Sequence, residues 1–376
     1  MLENRRIGIA ISLYDKFEEL AILHDIFRFN FQNRYYLYVC SNHPDALNKI
    51  NKMNLEFDGF IQGEDIYFSP ALNYEQKRLS LVCRSNDTVQ RSCKLAIDNN
   101  CDYVMHIHCD AWPLNENKLL NMFYQLENSN YSILVRGLGW SYFGSDRPVG
   151  GIDDHFFFFK VKDIKEKNIF DYDVLQMWPH MLSIHGILGM QILVKLGLDK
   201  CLYYSDLSNT LCWDGEKKKL PFLPVKPSSL DSDKCFLHVH REAFPDELAQ
   251  KLQSYYLNKF NFNQGQNIKI FLSKYTYEKE LPKYLSDRLA KGIKKLKFYG
   301  YETDIFAQEI KKIELELDNI VVSIVLKNYL KKLFKFIKKK KRKIFPTTME
   351  DYYLELINKE NFPERDNFWF KGVHNE

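Results

Sequence analysis

The eight cysteines of this 376-residue chain include no C-x-x-C pair, no Gly-x-Gly-x-x-Gly stretch occurs, and glycine (16) and proline (12) are modest. Each absence removes a class. Cysteines at 40, 83, 93, 101, 109, 201, 212 and 235 lack the tight spacing of a zinc site. They read as reduced thiols of a cytoplasmic protein, each most simply a small buried hydrophobe. Without the glycine fingerprint there is no dinucleotide-binding signature. The composition is neither fibrous nor disordered. The N-terminal apolar run, residues 7–13, is too short for a signal sequence or a membrane span, which predicts a chain that starts and stays inside the cell. Net charge is only +4, but it hides a dense basic excess near the C-terminus.

What is present is apolar and aromatic. A hydrophobic content of 45%, with 28 Phe and 23 Tyr, lets a chain of this length bury a substantial core as one large domain or two ordinary ones. Residues 7–13 (I-G-I-A-I-S-L) read as a central parallel strand, with Tyr14, Asp15 and Lys16 at its carboxyl end and a helix over 17–29. Residues 35–40 are the second strand, ending at Ser41, Asn42 and His43 before a short helical stretch. Two such units in a row imply a right-handed parallel sheet. A strand is expected within 57–61 and a third clear one at 79–83, leading into Arg84 and a helix capped by Asn86 or Asp87. Further on, 119–126 reads as a helix, 131–135 as a strand, 137–144 as a loop and 172–197 as a helical pair.

The organising stretch is 102–114, D-Y-V-M-H-I-H-C-D-A-W-P-L. An apolar run alternating with imidazoles ends in Asp110, and the Trp-Pro pair beyond it argues against further regular strand. In open α/β sheets, ligands bind at the carboxyl ends of strands, so Asp110 is placed for chemistry, the competing reading being a turn cap. His106 reads as a packed core histidine. A second acidic feature, G-G-I-D-D-H-F-F-F-F-K-V from Gly150, sets Asp153 and Asp154 before an apolar strand. Residues 235–242 form a last strand carrying His238 and His240 on one face.

Beyond Pro245 the composition shifts toward Lys, Tyr, Leu and Asn with helical periodicity. This divides the chain into 1–245, a mainly helical 246–345 and a tail, 346–376. Within the middle part 246–260 is a helix, 268–273 reads as a strand and 278–296 as a helix. In 322–343, apolar residues recur at 322, 326, 330, 333 and 337, with lysines opposite and a run from Lys338 to Lys343. Such a helix suits the surface of an anionic membrane, each basic residue there contributing on the order of 1 kcal/mol. The alternatives are a helix packed on the core with a solvated lysine face, or nucleic-acid binding, which no recognised motif supports.

The order of pieces, from the first strand and Arg84 through H-C-D (His108, Cys109, Asp110) to G-G-I-D-D-H-F, resembles the GT-A fold nucleotide-sugar glycosyltransferases over roughly residues 5–245. The resemblance implies an α/β fold: a Rossmann-type, mostly parallel sheet flanked by helices, with a mainly helical C-terminal extension. In that family the strand ends in Asp-x-Asp, whose carboxylates hold a divalent metal and the donor diphosphate. Asp110 matches the second Asp, and His108 stands where the first is expected. The resemblance thus implies Mn²⁺ or Mg²⁺ on His108 and Asp110, with His238 or His240 as a late ligand. It places the donor on Ser12, Tyr14, Asp15, Asn42 and Asp110, and the acceptor-side base on Asp153 or Asp154. Arg84 is a further donor-side candidate because a guanidinium matches phosphate geometry, the competing reading being a surface ion pair. The implied activity is transfer of a sugar from a nucleotide-diphosphate donor to a glycan or lipid-linked acceptor in cell-surface polysaccharide or lipopolysaccharide synthesis, on the inner face of the membrane. The competing reading is a non-catalytic nucleotide- or sugar-binding protein that kept the fold. A nucleotidyltransferase ranks third, because residues 12–17 lack a Gly-rich, Lys-containing loop of the kind that class uses.

Overall fold

Every residue of β1 (Ile7–Leu13) is buried, which is why the segment is an unbroken apolar run rather than an alternating one. In this computed structural model, the described residues are 5–64, 74–138, 151–174, 184–196, 200–203, 228–230, 236–239 and 246–275. Around β1 stand β2 (Tyr36–Ser41), β3 (Gly59–Gln62), β4 (Tyr103–His108), β6 (Ile133–Leu138), β7 (Gly151–Lys160) and β8 (Cys201–Tyr203), in the order β3-β2-β1-β4-β7-β6-β8. The neighbours of β1 and the β2–β3 and β6–β8 pairs are parallel, whereas β7 runs antiparallel to both β4 and β6. The fold is therefore the mixed α/β arrangement expected, a mostly parallel sheet flanked by helices. A second, antiparallel sheet joins β5 (Ala111–Pro113), β10 (Phe236–Val239) and β9 (Ser228–Leu230).

The run of four phenylalanines in β7 divides its side chains between two cores. Phe156 and Phe158 join one face with Ile9, Ile11 and Met105; Phe157 and Phe159 join the other with Ala10 and Val104. On the first face lie α1 (Phe17–Asp25), α2 (Ala46–Lys52), α4 (Glu116–Glu127) and two helices near the end of the described chain, Asp246–Lys259 and Gln266–Lys274. The other face carries α3 (Tyr74–Asp98) and the helix Ile184–Leu196. Gly8 lets the end of α3 and the turn after it come close, since a Cβ there would stand 3.3 Å from Ala96 Cβ and 2.7 Å from Cys101 Sγ.

Four expectations change. The strand expected at 79–83 and the loop after it are instead part of the single helix α3. Leu79, Val82, Cys83, Val89, Cys93 and Ala96 are buried while Leu81 is 53% exposed, a helical rather than a two-faced strand pattern. Asn86 does not cap it; its Nδ2 donates to the Val82 carbonyl one turn back. The strand expected at 268–273 is the helix Gln266–Lys274. Ile268 and Phe271, three apart, are buried and Ile270 is exposed. Asp25 accepts from the backbone N–H groups of Asn267 (2.8 Å) and Ile268 (3.1 Å) at its start. Gly265 sits at φ +93, where an L side chain is strained and a Cβ would collide with the Asp25 carboxylate. Trp112-Pro113 does continue as strand: β5 is an edge strand, where a missing N–H is tolerated, and Trp112 Nε1 donates to Cys109 O across the preceding turn. Finally, part of the loop expected at 137–144 is strand, since Gly137 and Leu138 pair with Ile152 and Gly151.

Candidate functional site

Strand order 3-2-1-4 means that the chain builds the sheet outward from β1 in one direction and then crosses to its other side. The carboxyl ends of β1 and β4 thus border the switch point, where α/β sheets leave a crevice for ligands. Tyr14, Asp15 and Lys16 follow β1 there, and Cys109 and Asp110 follow β4. Because β7 is antiparallel to β4, with Ile107 opposite Phe156, the start of β7 brings Asp154 and His155 to the same place. The second sheet completes it: His238 of β10 is in register with Ala111, beside Asp110. Residues more than two hundred positions apart are joined by topology, not by a local motif.

Asp110 is 4% exposed, and its Oδ2 meets Lys16 Nζ at 2.5 Å and His238 Nε2 at 3.4 Å. Burial opposes its ionisation, but the hydrogen bond from His238 and the Lys16 ammonium more than offset this and hold the carboxyl well below the usual carboxylate range. Burial, aided by the neighbouring His155, pushes His238 down to about 3, so at neutral pH it is a neutral imidazole. The charge that balances Asp110 is then the Lys16 ammonium. Burial alone would lower Lys16; Asp110 outweighs it and leaves the ammonium above its ordinary pKa.

His108 lies with Nε2 3.3 Å from Asp154 Oδ2, and its ring stands 5.1 Å from that of His155, which in turn lies 3.8 Å from that of His238. Burial pulls His108 down, but the Asp154 carboxylate more than compensates and its pKa is raised. His106 is fully buried, stacks on Phe157 at 4.8 Å and meets Ser12 Oγ at 3.2 Å. Desolvation holds His106 well below its ordinary value.

Among the donor-side residues, Tyr14 and Arg84 come together: the guanidinium lies 3.3 Å over the phenol ring, and Tyr14 is 40% exposed. Asp15 is exposed in the same loop. The Asn42 Nδ2 donates to Asp87 Oδ2 (2.7 Å) and to the Glu64 carbonyl (2.8 Å), which fixes the loop after β3. The Asp153 side chain, His240 and residues 322–343 lie outside what the structure describes.

Sequence reading passed over Lys16 as a site residue. The available signal was its position three residues after a fully buried strand, in the loop that faces the crevice. A divalent cation, which the GT-A resemblance implies, finds a poor donor set among the described residues. His108 Nε2 is turned to Asp154, Asp110 Oδ2 to Lys16 and His238, and among the described residues no group of three or more His, Cys, Asp or Glu side chains could hold an ion.

A cavity of about 510 Å³ lined by Phe27, Arg28, Phe31, Tyr35, Phe57 and Asp58 opens at the amino ends of β2 and β3, away from this cluster.

No family model matches the sequence, and no curated protein matches it. Solved structures that are similar include a nucleotide-diphospho-sugar transferase from Desulfovibrio desulfuricans G20, at 11% identity and TM-score 0.33, covering 53% of this chain and 79% of that one. Another is the glycosyltransferase GlyE of Streptococcus pneumoniae, at 11% identity and TM-score 0.31, covering 54% and 45%. A third is mouse xyloside xylosyltransferase 1, at 11% identity and TM-score 0.32, covering 53% and 84%.

Proposed function

We propose that this protein is a glycosyltransferase that moves a sugar from a nucleotide-diphosphate donor to a glycan or lipid-linked acceptor, in cell-surface polysaccharide or lipopolysaccharide synthesis. The observation that carries the reading is the convergence of Lys16, His108, Asp110, Asp154 and His238 from separate segments at the carboxyl ends of β1 and β4. The H-C-D and G-G-I-D-D-H-F stretches support it from the sequence side.

In this reading the acceptor hydroxyl oxygen bonds to the anomeric carbon as the bond from that carbon to the diphosphate breaks. The electron pair leaves with the diphosphate, and the hydroxyl proton is taken up by the His108–Asp154 pair. An orienting carboxylate behind an imidazole supports such proton uptake. Asp154 is 3% exposed and the His108 side chain 22%, so the imidazole is the member offered to a hydroxyl. Tyr14, Asp15 and Arg84 flank the donor, with Asp110 and Lys16 at its diphosphate. Ser12 and Asn42 act by holding β4 and the loop after β3.

Among the described residues no helix is long and apolar enough to cross a membrane. Attachment to the inner face of a membrane is assigned to the basic stretch 322–343, whose apolar positions and lysines suit an anionic surface.

The test is turnover of a panel of nucleotide sugars, with released nucleoside diphosphate as the readout. Release from at least one donor supports the proposal; no release from any, with nucleotide still bound, favours a non-catalytic binding protein. His108 in place of an acidic residue is the feature that favours this second reading.

A further inference from the structure

We infer that Lys16 is the built-in cation of the donor site: its ammonium, held in place by Asp110, donates hydrogen bonds to the leaving diphosphate in place of a divalent metal ion. The inference rests on the donor-site reading above and concerns how that site handles charge. Three observations carry it.

Position comes first. Lys16 lies between β1 and α1 at the switch point of the sheet, the place where the crevice forms, and reaches Asp110 across from the end of β4. Accessibility comes second. The carboxylate is 4% exposed and the lysine side chain 32%, so Lys16 is the member of the pair that borders the open crevice. It keeps N–H donors beyond the one given to Asp110, because an ammonium carries three. The donor set is third. A metal coordinated by Asp110 would be held beside a fixed positive charge, and the position expected to supply a second carboxylate carries His108, whose Nε2 faces Asp154. Like charges so close disfavour the metal, whereas the anionic diphosphate meets an ammonium already oriented. Arg84, stacked over Tyr14 in the loop that also holds Lys16, adds a second positive group on the same side.

The chemistry balances without a metal. Both electrons of the broken carbon–oxygen bond stay on the diphosphate, and the ammonium stabilises the departing oxygen by hydrogen bonding while keeping its proton.

Binding of uridine, guanosine, adenosine and thymidine diphosphates, measured by calorimetry in excess EDTA and in excess Mn²⁺, tests this directly. Wild-type protein is expected to bind its preferred diphosphate equally, within about threefold, in both conditions. Lys16→Met is expected to weaken that binding by roughly tenfold or more, about 1.4 kcal/mol, and Lys16→Arg to retain most of it. Tightening of wild-type binding by Mn²⁺ beyond about tenfold would overturn the inference, and needs no variant to fold. Lys16→Met binding like wild type would overturn it as well. Wild-type protein that binds none of the diphosphates in either condition would instead bring down the donor-site reading itself, and the inference with it.

Discussion

Replacing Asp110 by Asn keeps the side-chain volume and removes the charge, which separates the two roles that the residue has. In the folded protein its carboxylate holds Lys16 and accepts from a neutral His238. Loss of the charge leaves the Lys16 ammonium without its partner. If that ammonium were fully buried, breaking the pair would cost about 3–5 kcal/mol; a pair at the surface is worth about 0–1 kcal/mol. Lys16 is about one-third exposed and can turn toward water, so the cost falls nearer the lower end, about 1–2 kcal/mol. For a domain of this size that is a fall in melting temperature of roughly 2–8 °C. Catalysis is hit harder, because a cation that is no longer clamped must be ordered at the moment of reaction. Removal of such preorganised electrostatics typically costs roughly 10²–10³ in kcat. Asp110→Asn should therefore be a folded protein, recognisable by its circular dichroism melt, with donor turnover down at least about a hundredfold. Turnover within about threefold of wild type would refute the reasoning and reduce Asp110 to a turn residue.

Three further outcomes follow from the same geometry. Asp154→Asn should lower turnover by about 10²–10⁴ while leaving nucleoside diphosphate affinity unchanged by calorimetry, since it acts on the acceptor proton; equal losses in both would assign it to donor binding instead. Asp25→Ala removes the acceptor of two backbone N–H groups and of Asn267 Nδ2, and should cost about 2–3 kcal/mol in urea unfolding; a loss below about 0.5 kcal/mol would mean that the helix Gln266–Lys274 is held by packing alone. Neutralising Lys338, Lys339, Lys340, Lys341, Arg342 and Lys343 should reduce co-sedimentation with anionic liposomes, and unchanged binding would remove the membrane reading.

The parts of the fold that were legible in the sequence are those whose burial is uniform or strictly periodic. β1 and β2 are covered on both faces and appear as apolar runs; Asp246–Lys259 shows as a helix with a buried Tyr256–Leu257 face. The 79–83 run misled because five residues of L-S-L-V-C satisfy a strand template, and only the exposure of Leu81 and the burial of Ser80 betray the helix. In 266–274 a local apolar cluster hid the same period, and the decisive partner, Asp25, lies 242 residues away in sequence.

The site divides similarly. Asp110 is legible because a strand visibly ends at it, and the acidic pair before the phenylalanines announces itself. That Asp154 pairs with His108 follows only from β7 running antiparallel to β4, a property of topology that composition does not carry. Lys16 stayed hidden for the same reason: a lysine after a strand is ordinary until Asp110 is placed opposite it.

The most direct measurement is a crystal structure with the preferred nucleoside diphosphate bound in the presence of EDTA. The diphosphate is expected at the carboxyl ends of β1 and β4, within hydrogen-bonding reach of Lys16 Nζ and near the Tyr14–Arg84 pair. A nucleotide seated in the cavity lined by Phe27, Tyr35 and Asp58, with the Lys16–Asp110 pair untouched, would contradict this.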